Sequence, residues 1–148
     1  AVGGLIAYLG AYVNQGFAIN KEKKKLFREK IEEVYLLTEK IDVWGHKAYD
    51  ILTNQDDYDK FFDSILLMSE TLNKVKMIIY FYQPDLKKEC DVIENKIALL
   101  GAKLAPFKLI SKSEKIALID SINKQIKEVT DSTKGLRKKL EIKINKYI

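Results

Sequence analysis

From Lys21 onward the apolar residues recur at alternating steps of four and three, the spacing that lines one face of an α-helix. A first helix is predicted over about 21–52, with Phe27, Ile31, Val34, Thr38, Ile41, Gly45, Ala48 and Leu52 along its inner seam and Leu37, Trp44 and Ile51 on the flank. Glycine weakens a helix interior, so Gly45 marks an expected bend or fray between Trp44 and His46. A second helix, about 55–82, carries the unbroken series Tyr58, Phe61, Ile65, Met68, Leu72, Val75, Ile79 and Tyr82. The third contributes Leu86, Cys90, Ile93, Ile97, Leu100 and Leu104, and the fourth Ile119, Ile122, Ile126, Val129, Thr133, Leu136 and Leu140, with Gly135 as a weak point.

The residues between these seams are those that start and stop helices. Thr53 to Asp57 reads as a turn, with Asn54 as N-cap and the acidic residues suited to the positive end of the second helix. Pro84 falls where proline opens a helix without losing a hydrogen bond, and Pro106 should end the third helix, leaving Phe107 to Ile110 as a connector. Ser111 and Glu114 are spaced as a capping box for the fourth.

Short connections make consecutive helices neighbours. The expected fold is therefore all-α, an antiparallel up-down four-helix bundle with the apolar N-terminal helix continuous with helix 1. That topology brings the start of helix 1, the Tyr82-Gln83-Pro84 corner and the C-terminus to one end.

Charge gives that end a meaning. The 148-residue chain is one domain in length and carries a net charge of +5. The basic excess lies in two short blocks, residues 21–30 and 134–148, while the stretch between them is net acidic. Lysines flanking aromatic residues beside an apolar segment suit a membrane-water interface. On this reading Lys21, Lys23, Lys24, Lys25, Arg28, Tyr80, Phe81, Arg137, Lys138 and Lys139 face lipid headgroups.

The apolar segment is residues 1–20, AVGGLIAYLGAYVNQGFAIN, which contains no charge and four of the seven glycines. As helix, residues 1–19 reach about 28 Å, close to the roughly 30 Å of a bilayer core. Lysines follow the segment rather than precede it, the reverse of a secretory signal. By the positive-inside rule the expectation is a single-pass membrane protein, with 1–20 the cytoplasm-proximal part of an anchor and 21–148 a cytoplasmic bundle. Gly3, Ala7, Gly10 and Asn14 share a face of small residues suited to close packing with another helix, and so to membrane or oligomer contact.

Catalytic chemistry is hard to assemble from the remainder. His46 is the sole histidine and Cys90 the sole cysteine, which excludes a histidine-pair metal site and an intramolecular disulfide. Asp56, Asp57 and Asp59 lack the glycine and closing glutamate of a calcium loop and read as helix-start acidity. No phosphate-binding glycine loop, nucleophile elbow or Glu-x-x-His pair occurs. The expectation is a non-enzymatic protein without cofactor or metal. An acidic middle and the lack of a reading motif disfavour nucleic acid as a partner.

The segment EKKKLFREKIEEVYLLTEKI following an apolar stretch, and IIYFYQPDLKKE opening a third helix, resemble small bacterial or phage-encoded membrane-anchored helical proteins. The chain is more loosely similar to four-helix immunity proteins that guard a producer's membrane against its own bacteriocin. The resemblance implies a tethered bundle acting by protein-protein contact or self-assembly, in immunity, exclusion or phage defence. The alternative is a soluble helical subunit whose apolar N-terminus packs into a larger complex.

Overall fold

A computed structural model describes residues 2–54 and 57–146, and among these the chain is helical with no strand. Helix α1 spans Val2–Asn54, α2 Tyr58–Tyr82, α3 Lys87–Leu104 and α4 Lys112–Asn145, with short 3-10 turns at Pro84–Leu86 and Phe107–Leu109. Helix α1 packs mainly against α2 and α4, and α3 against the same two. The molecule is a helical bundle.

The heptad seams become its core. Ile31, Val34, Thr38, Ile41, Gly45, Ala48 and Leu52 of α1 are all buried. The corresponding positions of α2, α3 and α4 join them in one cluster, with Phe27, Tyr58 and Ile119 only partly covered at the edges. Phe61, Met68, Val75, Cys90, Ile93, Leu100 and Leu140 have no accessible surface. A residue such as Met68 or Leu100 buried in this way contributes roughly 1.5–3 kcal/mol, so the shared core, rather than local propensity, holds the helices in place.

Helix ends follow local chemistry, with two shifts from expectation. The N-cap of α2 is Asp57, whose carboxylate accepts from the Lys60 N–H at 3.1 Å. The expected cap, Asn54, is the last residue of α1, while the expected helix start at Gln55 lies outside the described residues. Proline at the first position makes Pro84–Leu86 a 3-10 turn before α3 proper begins. The capping box forms as read: the Ser111 N–H donates to Glu114 Oε2 at 2.8 Å and the Glu114 N–H to Ser111 Oγ at 3.4 Å.

The fray anticipated at Gly45 does not occur, since α1 is continuous helix through it. A Cβ at this position would lie 3.3 Å from Ile126 Cγ2 and 3.5 Å from Met68 Cε, so the glycine leaves room for side chains of α2 and α4 close against α1. Gly135 interrupts nothing either, because α4 runs through it.

Polar pairs record how neighbouring helices are registered. Between α2 and α3, Lys76 meets Glu94 at 2.6 Å and Tyr80 meets Asp91 at 2.7 Å. Between the α3 region and α4, Asp85 pairs with Lys143, Glu89 with Lys139, and Lys96 with Ser132. In each set, rising numbers on one helix meet falling numbers on the other.

The expectation of a single-pass membrane protein is corrected. Among the described residues no helix is long and apolar enough to cross a membrane. Asn14, Gln15, Asn20 and the glycines dilute the apolar stretch, and lysines begin at residue 21. The cytoplasmic placement of 21–148, which depended on that span, goes with it.

Candidate interaction surface

Helix α1 is 53 residues long, about 80 Å at 1.5 Å per residue, and only its second half is covered by the bundle. Every residue from Gly4 to Leu26 is exposed. At 100° per residue, Leu5, Leu9, Tyr12, Val13, Phe17 and Ile19 fall on one half of the circumference, together with Ile6 and Tyr8. Ala7, Gly10, Ala11, Asn14 and Ala18 fall on the other half. These large side chains are 50–72% exposed, an apolar display well beyond what a surface helix ordinarily presents.

The larger half is in phase with the core. On the same wheel the buried seam of α1 from Ile31 to Leu52 covers an arc of about 100°, and Leu5, Leu9, Tyr12 and Val13 fall within that arc. The face by which α1 meets α2 and α4 therefore extends beyond the bundle, and none of the described residues covers it. Sequence reading singled out Ala7, Gly10 and Asn14 instead. All three are exposed, a side chain at Gly10 would meet nothing within 4 Å, and the surroundings of Gly3 lie outside the described part. Carrying the core phase backward is the signal that would have drawn attention to the large residues.

The basic end is more neutralised than its sequence suggests. Arg28 pairs with Glu32 at 2.8 Å, Lys30 with Glu33 at 2.7 Å and Lys25 more distantly with Glu29 at 3.9 Å. The hydrogen bond to Glu33 raises Lys30 above the usual lysine range. From α4, Lys139 reaches Glu89 and Lys143 reaches Asp85 at 2.5 Å, and these bonds hold both carboxyl groups below their ordinary range. Sequence reading counted the cations and overlooked that α3 starts at the same end with acids. Among the described residues Lys21, Lys23, Lys24 and Lys138 make no ion pair and stand exposed.

Arg137 is the clear correction among the residues expected to face headgroups. It is 8% exposed and turned into the bundle, with Nη2 donating to Asp42 Oδ2 at 2.6 Å and the guanidinium 5.9 Å from the Tyr35 ring. A heptad position beside Leu136 is inward here, and the Asp42 carboxylate of α1 supplies the countercharge. Tyr80 is likewise engaged sideways, since its hydroxyl donates to Asp91 and Lys87 lies 4.7 Å from its ring. Phe81 projects, at 84% exposure, with the exposed Met77 beside it.

Reactive groups do not converge. Among the described residues no three His, Cys, Asp or Glu side chains are placed to hold a metal ion. Cys90 is fully buried in α3, and burial pushes its thiol up to about 12, which removes the thiolate at neutral pH. A shallow groove of about 260 Å³ between α3 and α4 is lined by Val92, Gly135 and Leu136 with Lys88 and Lys139 at its rim. No family model, curated protein or solved structure matches the chain.

Proposed function

We propose that this protein is a non-enzymatic helical bundle that acts by protein-protein contact, and that the apolar N-terminal half of α1 is its contact element. The observation that carries the reading is the row of large side chains from Leu5 to Ile19, exposed on a helix continuous with the bundle. An apolar helix in water is marginal by itself, and its glycines cost about 1 kcal/mol each relative to alanine. Burial against another surface offsets that cost. Each of the eight large residues contributes roughly 1.5–3 kcal/mol on complete burial.

The body that carries this element is read as an antiparallel up-down four-helix bundle. The opposite-running pairs Lys76 with Glu94, Tyr80 with Asp91, Glu89 with Lys139 and Asp85 with Lys143 support that arrangement. The exposed lysines Lys21, Lys23 and Lys24 border the contact element and disfavour a partner that sets like charges beside them.

Native electrophoresis of extract from its own host tests the reading. The full chain should migrate in an assembly larger than a monomer. A variant with Leu9, Tyr12 and Phe17 changed to serine should migrate as a monomer with an intact helical signal. Monomeric migration of both chains overturns the contact role.

A further inference from the structure

We infer that the partner of the N-terminal helix is a second copy of this chain, lying on the large-residue face in the reversed direction. This rests on the contact role proposed above and specifies its occupant. The first argument is area. Eight large side chains at 50–72% exposure offer on the order of 100 Å² each. Two copies would then bury roughly 1,600 Å² in all, the standard size of a stable specific interface.

The second argument is steric and fixes the direction. The large-residue face is the same face that α2 and α4 cover farther along α1. A second helix laid on it in the same direction would bring its own α2 and α4 into the volume already held by the first bundle. Reversal sends the two bundles to opposite ends of the paired segment.

The third argument is charge and layer fit. Side by side in the same direction, the exposed lysines Lys23 and Lys24, which lie on the large-residue half, would stand beside their counterparts in the second copy. One reversed register sets Leu9 against Ile19 of the second copy and Tyr12 against Gly16, a large side chain against a position without one. The two Lys23 side chains are then displaced by about 27 Å along the axis, more than twice the roughly 8–10 Å screening length at physiological salt.

The test uses the full chain in detergent-free buffer. Sedimentation equilibrium at tens of micromolar should give a dimer, and Tyr12→Glu should weaken it by about 30-fold or more while circular dichroism is unchanged. Leu36→Glu, on the exposed outer side of α1, should leave the dimer intact. Orientation is read from disulfides with the buried Cys90 left in place. Leu9→Cys and Ile19→Cys chains should crosslink when mixed and not separately. Self-crosslinking of Leu9→Cys, or a monomer at 100 micromolar, overturns the inference. So does a chain that is monomeric in buffer and floats with phosphatidylcholine vesicles. If the monomer nonetheless migrates in a larger assembly in host extract, the contact role stands and only its occupant is wrong.

Discussion

The Asp42 carboxylate of α1 and the Arg137 guanidinium of α4 meet at 2.6 Å inside the bundle, with side chains only 13% and 10% exposed. Thr133 completes the group by donating to the other Asp42 oxygen at 2.5 Å, while Arg137 Nη1 is buried with no hydrogen-bond partner among the described residues. Removing one member of such a pair strands a buried charge. Asp42→Ala should therefore cost about 3–5 kcal/mol in urea denaturation. Replacing both residues with leucine should recover most of the loss, because two apolar side chains need no countercharge. A double variant as unstable as the single one would show that the pair is itself stabilising.

Gly45 and Gly135 should answer the same substitution differently. At Gly135 a Cβ meets nothing within 4 Å, so Gly135→Ala should add about 0.5–1 kcal/mol through helix propensity alone. At Gly45 the Ile126 methyl is 3.3 Å away, so alanine should gain less, and Gly45→Leu should lose about 1–3 kcal/mol by overpacking. Thermal or urea midpoints of the three variants check the order.

Acid should loosen the α3–α4 junction first. Asp85 and Glu89 titrate below their ordinary range because Lys143 and Lys139 bond to them. A depressed folded value stabilises the bundle above the ordinary carboxylate range, and that contribution is lost as pH falls through the folded value. The melting temperature should drop between about pH 5 and pH 2, and Glu89→Gln should flatten part of the drop. Glu89 matters more than Asp85, whose side chain is 62% exposed and screened by water.

Cys90 should report opening of the core. Its thiol is buried and raised to about 12, so a thiol reagent at pH 8 should modify it only as fast as the bundle opens. The modification rate should rise with urea in step with unfolding. Rapid modification of the native protein would contradict the burial of α3.

The core was legible because heptad spacing is a property of each helix separately. Ile31 to Leu52, Phe61 to Ile79 and Ile122 to Leu140 turn inward as their phase requires. What depended on a neighbouring helix was not legible. Gly45 reads as a weakness until Met68 and Ile126 stand beside it, and Arg137 as a surface cation until Asp42 faces it. Asp85 and Glu89 belong to another helix than Lys143 and Lys139, so summing charge along the chain missed their meeting. The apolar stretch was recognised as unusual, but its length invited comparison with a bilayer when its angular phase was the more telling property.

Because α1 is unbroken from Val2 to Asn54, a partner that gripped its N-terminal stretch, as proposed, would hold the body through a continuous shaft. The choice of gripped residues then sets an angle as well as a distance. A grip displaced by a single residue would turn the whole bundle by about 100° around the long axis and carry it 1.5 Å along it. An insertion or deletion of one residue near Lys21 would therefore leave both ends folded and point every other surface of the molecule in a new direction.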